Sequence, residues 1–142
     1  MIKKYAVLAL LALSVLQVSA QNITCRDVFR AMPDFIIPYL TENNRLDMLD
    51  FMDSHMKAIV QNRFDGRSEM LTISDDSLTL QLSEALRMTI LLVDSQEEVD
   101  GSKPVICVKE QIGIPTSMLS NKCTFYSIKW RKLEEDELNL VK

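Results

Sequence analysis

The reactive side chains of this 142-residue chain are few: three cysteines, one histidine and carboxylates gathered mainly in turns. A lone His55 cannot build a two-histidine zinc site, and Cys25, Cys107 and Cys123 include no C-x-x-C spacing, so the common zinc ligand sets are missing. Cys25 is the one thiol that could be imagined beside His55 as a nucleophile, but it recurs with Val28, Phe29 and Met32 on an apolar helical stripe and reads as a core residue. Asp75, Asp76, Glu97, Glu98 and Asp100 could supply a carboxylate pair for glycan hydrolysis. They fall in turns and an acidic connector, poor supports for two groups that must keep a fixed separation. Gly66, Gly101 and Gly113 are isolated in separate turns and form no phosphate-cradling loop. No catalytic, cofactor-binding or metal-ligating residue is assigned, and no cofactor is called for.

Cys107 and Cys123 are different. Strand alternation puts Cys107 with Lys109 on one side of one strand and Cys123 with Ser127 and Lys129 on one side of the next. If the intervening hairpin turns near Pro115, the two cysteines lie opposite one another and are candidates for a disulfide; another register parts them.

The elements that must carry these residues begin after a segment with an export pattern. Lys3 and Lys4, an apolar run from Tyr5 to Val18, and a close on Val18-Ser19-Ala20 with small residues at 18 and 20 read as a signal peptide over 1–20, cleaved between Ala20 and Gln21. The run is shorter than the roughly 20 residues of a membrane-spanning helix, so no transmembrane span is expected in the mature chain. Cleavage removes two lysines and no acid, taking the formal charge from −4 to −6, a balance that argues against nucleic acid as a partner. Export carries the three cysteines into an oxidising compartment.

Residues 21–133 read as a single α+β domain, with two N-terminal helices packed on an antiparallel meander sheet of about six short strands. Thr24 caps the first helix, with Asp27 completing the cap, and Pro33 ends it. Thr41 or Asn44 caps the second, whose wheel from Arg45 to Lys57 puts Met48, Met52, Met56, Leu49, Phe51 and His55 on one broad arc. The methionines read as core filling and Asp47, Asp50 and Asp53 as a solvated face. Strand alternation follows from Lys57 to Phe64, turning tightly at Asp65-Gly66, and from Glu69 to Ile73. Leu78, Leu80 and Leu82 give the clearest half-buried strand, and Leu86 to Leu92 the next. Asp94 to Lys103 reads as a mobile acidic connector, Pro104 to Ile112 and Cys123 to Leu133 as the last strands, and 134–142 as an acidic tail that frays.

The stretches NRLDMLDFMDS running into KAIVQNRF, with VICV and the later FYS..W group, resemble a secreted Bacteroidales family of unknown function, domain of unknown function 3256. The resemblance covers Ala31 to Trp130 and implies export with a periplasmic or cell-surface address, a helix-then-sheet domain and no assigned activity or site. Members tend to continue past the tryptophan strand, so this chain reads as a short or a truncated member, and truncation would leave its last strand unpaired. Lys122, Lys129, Arg131 and Lys132 gather there. Such charges protect an exposed edge from sheet-to-sheet association, or dock an acidic partner. The reading is therefore a non-catalytic binding or assembly module for a protein or glycan partner; the alternatives are an exported hydrolase acting on glycan or peptide, or an incomplete half of a larger domain.

Overall fold

The structure is a computed structural model and describes residues 22–114 and 116–141; the expected signal peptide lies outside them. Helix α1 (Cys25–Arg30) is short, and α2 (Glu42–Asp53) is the main helix. Strands β1 (Ala58–Gln61), β2 (Arg67–Ile73), β3 (Ser77–Gln81), β4 (Leu86–Val99), β5 (Ser102–Ile114) and β6 (Ser117–Tyr126) form one antiparallel sheet in sequential order. The last three strands are 14, 13 and 10 residues long, not short.

Capping fixes both helix starts. Thr24 accepts from the Asp27 N–H while the Asp27 carboxylate accepts from the Thr24 N–H, and Thr41 and Asn44 make the same reciprocal pair for α2. The end of α2 departs from the wheel. Ser54 closes the helix and His55 turns left-handed at φ 56°. The His55 N–H then reaches the Met52 carbonyl and the Met56 N–H the Phe51 carbonyl, a Schellman stop. The expected apolar arc therefore breaks up: Met48 is buried, Met52 half-buried, and His55 and Met56 stand exposed beyond the helix.

Period-two alternation decides which side of the sheet is dry. Leu78, Leu80 and Leu82 are at most 1% exposed and join Met70, Met88, Ile90, Ile106 and Val108 in the main core, with Met48 and Leu49 of α2 and Cys25, Val28 and Phe29 of α1. Trp130 closes this core from the far end of the chain, its indole Nε1–H donating to the Val28 carbonyl at 2.9 Å.

Two turns differ from expectation. At Asp65-Gly66 the chain makes a wider loop, with Gln61 paired to Arg67. The buried Asn62 amide holds it, accepting from the Phe64 and Gly66 N–H groups and donating to Ser68 Oγ and the Leu82 carbonyl. The stretch from Asp94 is no mobile connector: β4 continues to Val99 and turns at Asp100-Gly101, with φ of 50° and 81°, into Ser102. Positive φ at both central residues is what the tight hairpin turn demands.

A second cluster lies on the other face, where Val99, Val105 and Leu133 are buried with Val93, Phe125, Leu140 and Val141 packed against them. The final residues dock there instead of fraying. A 3-10 turn (Glu137–Leu140) follows Arg131, whose guanidinium binds Asp100 at 3.1 Å and Glu137 at 2.8 Å. Arg131, then the Glu134 N–H, pulls the Glu137 carboxyl from its ordinary 4.5 down to about 2, and Arg131 likewise lowers Asp100. A folded-state value below the unfolded one means the tether is fully present above about pH 4.5 and is lost as pH falls toward 2. Amide exchange across Glu134–Val141 should therefore stay constant from neutrality to pH 5, after correction for intrinsic rates, and speed up below it; Arg131→Gln should remove the dependence.

Candidate functional site

The sheet places the edge residues first. Strand β6 is an outer strand of the sheet, and the chain beyond it folds back on only part of its free side. The Leu133 N–H donates to the Phe125 carbonyl at 3.0 Å, the Ser127 N–H to the Arg131 carbonyl at 2.8 Å, and Tyr126 bridges to Lys132. Phe125 thus turns its backbone groups away from β5. In an antiparallel strand positions two apart share that direction, and the register is unbroken from Ser120 to Tyr126, so Asn121 and Cys123 also direct N–H and C=O outward. No described strand pairs with them. Leu119 on the same stretch is 77% exposed.

The four cations expected at this edge do not act as a unit. Lys122 is exposed on β6, cross-strand from Glu110. Lys129 and Lys132 are exposed in the return that follows, whereas Arg131 is engaged by Asp100 and Glu137. The strand itself ends at Tyr126, not Leu133, because the chain turns at Ser127–Trp130 with Trp130 at φ 61°.

Cys107 and Cys123 are brought together. They are not directly opposite, since Cys107 pairs with Phe125 and Cys123 with Lys109, but the diagonal between them leaves the two Sγ atoms 2.8 Å apart. Cys107 is buried and Cys123 exposed. Burial, followed by the neighbouring Cys123, pushes the Cys107 thiol up to about 12. Cys25 is fully buried with its Sγ 3.6 Å from the Ile90 carbonyl, and burial pushes that thiol to about 12 as well. Such a thiol is a core group rather than a nucleophile.

The other candidates disperse. His55 serves the exposed helix stop. Asp75 gives its carbonyl to the Cys25 N–H at 2.6 Å, Asp76 accepts from Ser74 Oγ, Asp100 belongs to Arg131, and Glu97 and Glu98 are exposed on β4. Among the described residues no three His, Cys, Asp or Glu side chains converge as metal ligands. A shallow depression of about 290 Å³ on the sheet is lined by Ile59, Arg67, Glu69, Gln81 and Glu84 among others.

A further cluster escaped the sequence reading. Arg45, 3% exposed, donates to Asp34 Oδ1 at 2.8 Å and approaches the Leu40 carbonyl, while Arg63 binds Asp34 Oδ2 at 2.6 Å. Arg45, then Arg63, holds the Asp34 carboxyl below the usual range. Tyr39 meets Phe64 edge-on at 4.9 Å next to this chain of charges, since the Arg63 N–H donates to the Tyr39 carbonyl. Asp34 and Arg45 carry no local sequence signal of pairing; only the fold brings the connector onto α2.

Residues 15–142 match the family described as "Protein of unknown function (DUF3256)". The chain belongs to this family. Among curated proteins none matches it. The DUF3256 chain is similar to a solved structure of a domain of an uncharacterized protein from Porphyromonas gingivalis W83, at 21% identity and a TM-score of 0.60. That likeness covers 78% of this chain and 54% of the other, so the DUF3256 chain spans about half the length of that structure, and what the two share is the fold. No described helix is long and apolar enough to cross a membrane.

Proposed function

We propose that this DUF3256 member is an exported, non-catalytic binding module that takes up an extended segment of a partner protein along the free side of β6. The observation that carries the reading is the outward backbone of Asn121 and Cys123, unpaired by any described strand while the neighbouring Phe125 and Ser127 are closed by the returning chain. An added strand would satisfy those groups by main-chain hydrogen bonding. Leu119 offers an apolar contact beside them, and Lys122, Lys129 and Lys132 favour a partner segment carrying carboxylates. Export through the 1–20 segment, with cleavage after Ala20, would put the module in the periplasm or at the cell surface.

Asn121→Pro tests it. Proline deletes one outward N–H, and because that group is not part of the β5 ladder an edge strand tolerates the change. The expected outcome is an unchanged far-UV spectrum together with loss of the partner recovered by crosslinking of the wild-type chain in cells. Undiminished recovery by the folded variant overturns the reading.

A further inference from the structure

We infer that Cys107 and Cys123 are a dithiol–disulfide pair that closes across β5 and β6, with Cys123 as the entering thiol and Cys107 as the resolving one. The two Sγ atoms stand 2.8 Å apart on the sheet face away from the main core. A disulfide asks for about 2.05 Å, so the two sulfurs have less than about 1 Å left to close. The third cysteine cannot compete, since Cys25 lies fully buried against Ile90 in the main core, on the opposite side of the sheet.

The order of the two steps follows from exposure. Cys123 is open to solvent and Cys107 is 2% exposed. A disulfide donor, either glutathione disulfide or the disulfide of a dithiol oxidoreductase, can therefore reach only Cys123. The Cys123 sulfur, having given up its proton, attacks one donor sulfur; the donor S–S bond breaks, and its departing thiolate takes a proton. Cys107 then loses its proton and attacks Cys123 Sγ, breaking the mixed disulfide and releasing the second donor thiol. Two protein thiols lose two electrons and two protons, and one donor disulfide becomes two thiols.

Closure would join Cys107 to a residue whose backbone lies on the free side of β6, fixing that strand to β5 just where a partner strand would bind. The chemistry does not require such a partner, however, and would occur in the purified protein.

Full-length chain treated with glutathione disulfide, quenched in acid, then unfolded and alkylated decides the matter by mass. The wild type should lose two hydrogens and keep one alkylatable thiol, mapped to Cys25, where the untreated, reduced chain shows three. Cys107→Ser should stop at one glutathione on Cys123, and Cys123→Ser should take up none at Cys107 over the same time. Cys107→Ala, which preserves the small buried volume without a hydroxyl, should behave as Cys107→Ser and guards against a folding defect in that variant. Three alkylatable thiols after treatment, a bridge that includes Cys25, or glutathione added as readily to Cys107 as to Cys123 overturns the proposal.

Discussion

Trp130→Ala is expected to lower unfolding free energy by about 3–5 kcal/mol, the usual cost of emptying a buried aromatic site. Trp130 is 6% exposed, packs with Tyr126 at a ring separation of 5.5 Å, and closes a core otherwise made by residues far earlier in the chain. Its indole N–H also satisfies the Val28 carbonyl of α1, an acceptor left without that donor once the ring is gone. Trp130→Phe separates the two contributions: the ring still fills most of the space, and the remaining loss of about 1–3 kcal/mol reports the missing hydrogen bond. Urea unfolding of both variants measures this. Equal stability of Trp130→Phe and wild type would mean that the bond to Val28 contributes nothing.

Leu80→Ala is expected to cost about 2–5 kcal/mol on the same scale. Leu80 is fully buried in the middle strand of the helix-covered region and is flanked in register by Met70 on β2 and Met88 on β4, so the vacated volume has three strands around it and little freedom to collapse. Thr72→Ala on the exposed surface of β2 is the control and should stay within about 0.5 kcal/mol of wild type. A Leu80→Ala cost no greater than the control would place Leu80 outside the core and reverse the sheet.

These two residues also mark what was legible in the sequence. The Leu78, Leu80, Leu82 alternation is strong because one face of β3 is dry and the other wet, and it correctly assigned the buried side. The reciprocal cap at Thr24 was legible for a similar reason, since short polar side chains acting three residues away need no tertiary information, whereas Thr41 and Asn44, alternatives in the sequence, are the two halves of one cap. Trp130 was visible as a large apolar residue, but its place in a turn, and its bond to α1, depend on how the chain returns past β6.

The long β4–β5 hairpin was missed where its far end becomes acidic. Asp94, Glu97 and Glu98 are exposed, Ser95 and Val99 are buried, and the alternation is diluted by charges on the wet side. The decisive signal was Asp100-Gly101, a dipeptide suited to positive φ at both positions. At α2 the opposite error arose, because the helical period continued on paper through His55 and Met56 while the backbone had already reversed at Ser54. His55, the one histidine, ends as part of a helix stop rather than as a member of a site.

The same contrast separates the two cysteines from the four cations. Strand parity put Cys107 and Cys123 on one face, although the turn pairing Ile114 with Ser117 and the irregularity between Ile112 and Gly113 together set them on a diagonal instead of directly across. Parity could not foresee that Arg131 would be drawn away by Asp100 and Glu137, since that depends on the Asp100-Gly101 turn and the docked 3-10 segment meeting at one end of the sheet. The cationic edge is consequently smaller than the sequence suggested, and its remaining lysines are the ones open to a partner.

The docking role of β6 is tested most directly by a photoreactive residue placed at Leu119 and, separately, at Leu71 on β2, followed by irradiation of living cells. The account predicts a covalent adduct with another protein from position 119, none from position 71, and disappearance of the adduct when Asn121→Pro is added. Adducts of equal yield from the two positions, or none from position 119, would contradict it.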